Sequence, residues 1–134
     1  MPRAQSIAAQ EFTIACSVCG KTAIRVCPLA QADWFFRAIL SGGEFICEGI
    51  TRNFALPADG LERVFAWLRD DDLAALHRYI FDEAGFEGGL DAYCPDCDQI
   101  YCREHYNVVE AWDEGFYDDS RGTCPNGHTR LIDD

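Results

Sequence analysis

The sequence predicts an α+β fold, a small domain in which β-hairpins that carry pairs of Cys and His residues enclose a helical insert. Three observations favour this class. Apolar residues alternate at strand spacing across residues 11–27, and two segments with apolar residues at helical spacing follow. One Cys/His pair precedes these segments and three pairs follow them. A length of 134 residues suits one domain. We therefore expect a single domain over residues 1–134, with a hairpin at 11–27, a helical insert at 28–87 and a Cys/His-rich region at 88–134.

The first predicted element is a hairpin that turns at the residues CSVCGK. The alternating apolar positions on both sides of this turn are Phe12, Ile14, Ile24 and Val26. Cys16 and Cys19 form a CxxC pair within the turn, and Gly20 allows the tight backbone that brings the two sulfurs together. This pattern is typical of a zinc knuckle.

The insert is expected to begin with a short helix at residues 30–40, which ends at Gly42 and Gly43. Two runs rich in apolar and β-forming residues follow it. These runs predict strands at Glu44–Ile50 and Arg52–Leu56.

Two amphipathic helices are predicted in the second half of the insert. The first begins at Asp59, a capping residue that Glu62 would complete as a capping-box-like pair. Its apolar stripe comprises Leu61, Val64, Phe65 and Leu68. The acidic run Asp70–Asp72 starts the second helix, because acids favour the positive end of the helix dipole, and Gly85 ends it. The second stripe comprises Leu73, Leu76, His77, Ile80 and Ala84, so His77 is interpreted as a core histidine.

The charge of the chain restricts its partners. Residues 1–30 hold three basic residues and one acidic residue, whereas residues 31–134 hold eight basic and 22 acidic residues, for a total of −12. Such a surface repels phosphate backbones and anionic lipid, which argues against nucleic acid and membrane as partners. A basic protein partner is the natural complement, and the alternative is that the charge only maintains solubility. The first residues lack the apolar region of a secretory signal, so we expect a cytoplasmic protein.

The eight cysteines of the chain are arranged for metal binding rather than for disulfides. Six of them form four two-residue pairs with two of the three histidines, and disulfides have no use for histidine. The pairs are Cys16/Cys19, Cys94/Cys97, Cys102/His105 and Cys124/His128. Two tetrahedral zinc ions would use all eight ligands. We therefore expect two Zn²⁺ ions as cofactors.

Two pairings of these half-sites are open. In a sequential arrangement, the run CPDCDQIYCREH closes on one metal by itself. In a cross-brace, the first and third pairs share one zinc and the second and fourth share the other. Spacing favours the cross-brace, because DQIY can form a short strand between the second and third pairs and 18 residues separate His105 from Cys124. Site 1 would then comprise Cys16, Cys19, Cys102 and His105, and site 2 would comprise Cys94, Cys97, Cys124 and His128.

The central spacing C-x2-C-x4-C-x2-H, from Cys94 to His105, resembles the cross-brace treble-clef zinc fingers of the RING, PHD and FYVE types. The resemblance implies a treble-clef-like zinc region at residues 88–134. It also implies, for a RING-like protein, that apolar residues near the metal loops recruit a conjugating enzyme, here Ile100, Tyr101 and Trp112. This chain differs from the group in the 74 residues that separate Cys19 from Cys94. The flanking residues Asp91, Asp96 and Asp98 also replace the basic run with which FYVE domains bind lipid headgroups.

No catalytic constellation is evident in the sequence. Sites with four protein ligands leave no position open for substrate, and hydrolase, deaminase and phosphate-loop motifs are absent from the sequence. Cys27 and Cys47 lie in apolar runs, where a free cysteine behaves as a small hydrophobic residue. An enzyme is therefore the less favoured class.

A recognition surface is predicted between the third and fourth pairs. Aromatic and acidic residues are interleaved there in what we interpret as a solvated loop, comprising Trp112, Asp113, Glu114, Phe116, Tyr117, Asp118 and Asp119. The sequence thus indicates a zinc-binding protein-interaction module with an acidic surface. The alternatives are a RING-like adaptor or ligase of a ubiquitin-like conjugation pathway, and an acidic inhibitor or immunity protein for a basic partner.

Overall fold

The computed structural model describes residues 3–8, 10–28, 45–83 and 88–133 of the chain. Within these ranges, ten strands form three antiparallel sheets and accompany two α-helices, which agrees with the predicted α+β class. The first sheet comprises β1 (Ala4–Ala8), β2 (Glu11–Ala15), β3 (Thr22–Pro28), β4 (Phe45–Glu48) and β5 (Asn53–Leu56), in that order. The helices are α1 (Leu61–Arg69) and α2 (Leu73–Asp82).

The remaining strands belong to the Cys/His-rich region. A two-stranded sheet pairs β6 (Tyr93–Cys94) with β7 (Gln99–Ile100). A three-stranded sheet has the order β10-β9-β8, from β8 (Val109–Asp113), β9 (Phe116–Thr123) and β10 (Thr129–Asp133). No helix within the described ranges has both the length and the hydropathy that crossing a membrane requires.

The predicted hairpin at 11–27 is confirmed as β2 and β3, in which Phe12 pairs with Val26 and Ile14 with Ile24. The strands predicted on either side of residue 51 are confirmed as β4 and β5. They continue the hairpin into the five-stranded sheet, so the segment at 28–87 is only partly helical. The predicted helix at 30–40 lies outside the described residues. Strand β1 was not predicted, because AQSIA offers little apolar alternation.

Both amphipathic helices are confirmed, with a correction at the start of the first. Asp59 lies in a 3₁₀ turn at Ala58–Gly60, and the N-cap of α1 is Gly60, which has no side chain with which to cap the helix. The turn displaces the helix start beyond the predicted cap. In α2, Asp72 is the N-cap, and its carboxylate accepts a hydrogen bond from the Ala75 amide at 3.1 Å. This helix ends at Asp82, before the predicted end at Gly85, which lies outside the described residues.

The main core lies between the five-stranded sheet and the two helices. The Phe65 ring of α1 stacks on Phe12 at a centroid distance of 5.9 Å and contacts the edge of Phe45 at 5.2 Å. Burying a side chain of this size contributes about 1.5–3 kcal/mol to stability. A second, smaller core surrounds the fully buried Tyr106 in the Cys/His-rich region, next to Cys94 and Cys124.

The segment predicted as an acidic loop is instead the β8–β9 hairpin. Its strands are joined by Glu114 and Gly115, whose φ angles of 50° and 85° are typical of a type I′ turn. Every residue of β8 is exposed. Strand prediction relies on one buried face, and the acids that solvate this hairpin conceal that signal.

Candidate metal centre

The first and third Cys/His pairs meet in one group, hereafter ligand group 1. Cys16 and Cys19 lie at the turn between β2 and β3, whereas Cys102 and His105 follow β7. The Cys16 sulfur lies 3.7 Å from His105 Nδ1, and the Cys19 and Cys102 sulfurs are 3.8 Å apart. The four ligand atoms all lie within 4.8 Å of one another.

The local backbone explains how the first turn presents its two sulfurs. The Gly20 amide donates to the Cys16 carbonyl at 2.9 Å, and Gly20 has a φ of 78°, which favours glycine. The Val18 amide points at the Cys16 sulfur, 3.4 Å away. The turn therefore directs both cysteines and one amide toward the same point.

The second and fourth pairs form ligand group 2. Cys94 ends β6, Cys97 lies in the turn to β7, and Cys124 and His128 lie between β9 and β10. His128 Nδ1 lies 3.8 Å from the Cys94 sulfur, 3.2 Å from that of Cys97 and 3.3 Å from that of Cys124. The Asn126 side-chain amide donates to the Cys97 sulfur at 3.2 Å.

The Cys124–His128 turn of group 2 has the same backbone arrangement as the Cys16–Cys19 turn of group 1. The Gly127 amide donates to the Cys124 carbonyl at 2.9 Å, with a φ of 88° at Gly127, and the His128 amide points at the Cys124 sulfur at 3.4 Å. Each group thus contains one CxxC or CxxxH turn whose glycine permits a backbone amide to face a sulfur. Such amides stabilise the thiolate form that binds metal.

The spacing of both groups fits a tetrahedral metal ion. With Zn–S bonds of about 2.3 Å and Zn–N bonds of about 2.0 Å, neighbouring sulfurs are about 3.8 Å apart, and a sulfur and a nitrogen are about 3.5 Å apart. The Cys97 and Cys124 sulfurs are 3.7 Å apart, and the Cys102 sulfur lies 3.2 Å from His105 Nδ1. Each group of three cysteines and one histidine could therefore hold a metal ion.

Hydrogen bonds and burial shift the pKa values of two thiols of group 2 in opposite directions. The hydrogen bond from Asn126 is the largest effect on Cys97 and lowers the pKa of its thiol to about 6. Burial raises the pKa of the Cys94 thiol to about 11. In group 1, backbone amides outweigh the opposing effect of burial and lower the pKa of Cys16 to about 6. Each group thus contains one thiol that readily supplies the thiolate a metal requires.

Residues 5–134 match the model of a protein family described as a domain of unknown function (DUF8328). The chain belongs to the DUF8328 family. No curated protein and no solved structure matches it. The resemblance to RING, PHD and FYVE fingers therefore stays a prediction.

Three candidate residues of this DUF8328 chain lie outside both ligand groups. Cys27 and Cys47 are buried in the five-stranded sheet, and burial raises the pKa of both thiols, which keeps them protonated and unreactive. His77 lies in α2 and packs against Tyr93, and its Nδ1 accepts a hydrogen bond from the Leu90 amide at 3.1 Å. These contacts agree with the packing roles that the sequence indicated.

The predicted recognition residues separate into two sets. Ile100 and Tyr101 are only 1% and 4% exposed, so the expectation that they contact a partner is wrong for this structure. Both residues lie between Cys97 and Cys102 in sequence, but in the structure they are packed within the two hydrophobic cores. The aromatic residues of the β8–β9 hairpin are exposed, with Trp112 at 60%, Phe116 at 77% and Tyr117 at 39%.

The acids of the hairpin also differ from one another. Asp113, Glu114 and Asp118 are exposed, whereas Asp119 is half-buried and pairs with Arg121 at 3.4 Å. Glu110, which was not among the predicted residues, pairs with Arg103 at 2.7 Å. The free negative charge therefore lies at the tip of the hairpin.

The roles of two polar residues were missed, one beside ligand group 2 and one that holds a loop of the fold. Asn126 bonds to the Cys97 sulfur, and the Asn-Gly turn of CPNGH was the signal for a residue at that position. Asp91 is buried and accepts hydrogen bonds from the amides of Ile50 and Thr51 at 3.0 and 2.8 Å. No local pattern could identify the role of Asp91, because its partners lie about 40 residues earlier in the chain.

Proposed function

We propose that this chain is a protein-interaction module in which two structural Zn²⁺ ions hold an acidic, aromatic hairpin for a basic partner. The observation that carries the metal part is the convergence of four ligand atoms in each group, within 4.8 Å of one another. Four protein ligands fill a tetrahedral site and leave no position for substrate, which is typical of structural zinc. Three thiolates and one imidazole favour zinc over magnesium or calcium.

The order of the ligands supports a cross-brace. Group 1 would join the β2–β3 turn to the segment after β7, and group 2 would join the β6–β7 turn to the β9–β10 turn. Two metal ions would thus connect all three sheets. Zinc, when bound, would supply bonding energy to folding, because unfolded chains do not preform such sites.

The interaction surface would be the tip of the β8–β9 hairpin. Trp112 contacts Tyr117 edge-to-face at 5.7 Å, and the exposed acids Asp113, Glu114 and Asp118 surround them. Aromatic anchors within a charged rim are typical of protein interfaces. Among the described residues, strand β8 also lies at the edge of its sheet, with the order β10-β9-β8, so its outer backbone groups would be available to a partner strand.

The metal part is tested by elemental analysis of protein purified without added metal. We expect about two zinc ions per chain, because two complete tetrahedral sets are present. The Cys27→Ala variant is the matched control, since it removes a buried thiol that belongs to neither group and should keep both ions. A zinc content near zero together with disulfides in the mass spectrum would overturn the metal assignment.

The partner part is tested by affinity capture from the native host, followed by surface plasmon resonance at two salt concentrations. Neutralising Asp113, Glu114 and Asp118 together should slow association and reduce its salt dependence, because these charges steer a basic partner. Neutralising Asp59, Glu62 and Asp96 changes the net charge equally on exposed positions elsewhere, and this control should retain more of the association rate. Trp112→Ala should mainly accelerate dissociation. Equal effects of the two triple variants would place the binding surface elsewhere.

A further inference from the structure

A cavity of about 370 Å³ lies beside α2, outside both ligand groups. Its volume is within the range of small-molecule sites, about 300–1,000 Å³. Helix α2 and the segment around Cys94 form its walls, and the described residues that line it are Ala74, His77, Arg78, Phe81, Tyr93 and Pro95. Such a mixture of rings and a few polar groups is typical of pockets that recognise ligands.

His77 offers the cavity a fixed, uncharged donor. Its Nδ1 accepts the Leu90 amide at 3.1 Å, and its ring fits closely against Gly89, where a Cβ would lie 2.6 Å from ring atoms. Burial, together with the charges of Arg130 and Arg78, lowers the pKa of His77 to about 4. The ring is therefore neutral at neutral pH, and its proton lies on Nε2. Among the described residues, Nε2 has no hydrogen-bond partner.

Arg78 offers the cavity a cation. It is exposed and has no carboxylate within ion-pair distance among the described residues, although Arg63 on α1 and Arg103 near β8 do. A guanidinium binds carboxylates through two parallel hydrogen bonds, which makes it well suited to a ligand anion. In this acidic chain, an arginine without an ion-pair partner among the described residues, next to a neutral donor, offers a local site for one negative charge.

Aromatic rings form the rest of the wall. The His77 ring lies 5.1 Å from Tyr93 and 6.5 Å from Phe81. Tyr93 is held in place by a hydrogen bond from its hydroxyl to Asp98 at 2.6 Å, whereas Phe81 is 52% exposed at the rim. Rings at these spacings can contact a further aromatic ring. Phe81 would gain burial from such a ligand.

We propose that this cavity binds a small aromatic monocarboxylate. The carboxylate would pair with Arg78 and accept a hydrogen bond from His77 Nε2, while the aromatic group would contact the exposed Phe81 and Pro95. This binding role goes beyond the proposed function, because the lining residues are neither metal ligands nor part of the β8–β9 hairpin, although Tyr93 and Pro95 flank Cys94 of group 2.

The test is NMR titration of the ¹⁵N-labelled protein, as purified, with benzoate, phenylacetate and 3-phenylpropionate. At least one of these should move the amide signals of Ala74, His77 and Phe81 in a saturable manner. Phenylacetamide lacks the charge of phenylacetate and acetate lacks its ring. Each of these two controls should therefore bind about tenfold or more weakly than phenylacetate. Absence of a saturable change with all three acids would overturn the proposal, as would equal binding of phenylacetamide.

Variants locate the two polar contacts. Arg78→Gln should weaken binding about tenfold or more, since a charge-assisted pair is lost. Arg69→Gln makes the same charge change on an exposed residue of α1 that does not line the cavity, and it should leave binding unchanged. His77→Asn keeps an acceptor near the Leu90 amide but loses the Nε2 donor, so a folded variant should bind several-fold more weakly. If Arg69→Gln and Arg78→Gln have equal effects, the assignment of Arg78 is wrong.

Discussion

The backbone amide of Ser17 donates a hydrogen bond to the carbonyl oxygen of Ile100 at 2.9 Å. Ser17 lies between Cys16 and Cys19, and Ile100 is the last residue of β7, two positions before Cys102. This bond places the first CxxC turn against the strand that leads to the third pair. The first pair therefore meets the third, while the turn that carries the second pair extends toward the fourth.

The arrangement predicts which ligands share a metal. Cadmium substitution followed by ¹¹³Cd NMR should give two resonances, because the two groups have different surroundings. His105→Cys should shift the same resonance that Cys19→Ser abolishes, whereas His128→Cys should shift the other one. His-to-Cys changes keep four ligands, so these variants should remain folded. If His105→Cys instead shifts the resonance that Cys19→Ser leaves in place, the sequential pairing is supported.

The hydrogen bond from Asn126 to Cys97 predicts unequal sensitivity of the two groups. Asn126→Ala should lower the metal affinity of group 2 about 10–100-fold, because donors to a ligand sulfur stabilise its thiolate form. Competition with a chelator would measure this loss. Group 1 of the same molecule is the internal control, since Asn126 contacts none of its ligands among the described residues. Equal weakening of both groups would indicate a general loss of folding instead.

The buried carboxylate of Asp91 should stabilise the fold strongly. It accepts hydrogen bonds from three successive amides, those of residues 50–52, and from the Thr51 hydroxyl at 2.8 Å. Asp91→Asn turns one acceptor into a donor that faces these amides, so the free energy of unfolding should fall by about 2–4 kcal/mol. Urea unfolding with zinc present would measure it. Asp96→Asn, at an exposed position, should change it by less than about 0.5 kcal/mol.

The three histidines should all be protonated at Nε2, for two different reasons. His105 and His128 direct Nδ1 at sulfurs, as metal ligands would, and His77 uses Nδ1 to accept the Leu90 amide. Long-range ¹H–¹⁵N NMR distinguishes these states. As pH falls from neutral, His77 should stay uncharged until about pH 4, below the usual histidine pKa of 6.5. Titration of His77 near pH 6.5 would contradict the buried position described here.

Acid should therefore weaken the fold through His77. Its pKa in the folded state is lower than in the unfolded chain, so its contribution to stability is present above about pH 6.5 and is lost as the pH falls toward 4. His77→Gln removes this titration, and a urea series at several pH values should give the variant a smaller decrease between pH 6.5 and 4 than the wild type. The metal ligands are common to both proteins, so their protonation cancels in the comparison. Identical decreases would contradict the expectation.

Local patterns predicted the elements whose residues carry their own periodicity. The alternation around Ile14 and Ile24 identified the first hairpin, and the stripe from Leu61 to Leu68 identified α1, because each has one buried face. The Cys/His pairs were likewise recognisable from residue type and spacing. These features depend on neighbours in the sequence.

Features that depend on distant segments were not predictable. The burial of Ile100 and Tyr101 results from packing against other parts of the chain, and the role of Asp91 depends on a loop about 40 residues away. Strand β8 is exposed throughout, and the buried positions of β9 are Ser120 and Gly122 rather than apolar residues, which is why the acids of this hairpin suggested a loop. Strand β1 was missed because its pairing with β2, rather than its own composition, makes it a strand.

The interleaved order of the ligands also determines when each ligand group becomes complete during translation. Cys16 and Cys19 leave the ribosome early, yet the histidine that completes their group is His105, and Cys94 and Cys97 must await His128. A growing chain would thus hold reactive thiols with neither group complete while the sheet and helices are already made. Metal loading of group 1 should follow translation of the five-stranded sheet, both helices and β7, whereas that of group 2 should also await β9. A pulse of thiol-reactive reagent on stalled nascent chains should label Cys19 until His105 has emerged.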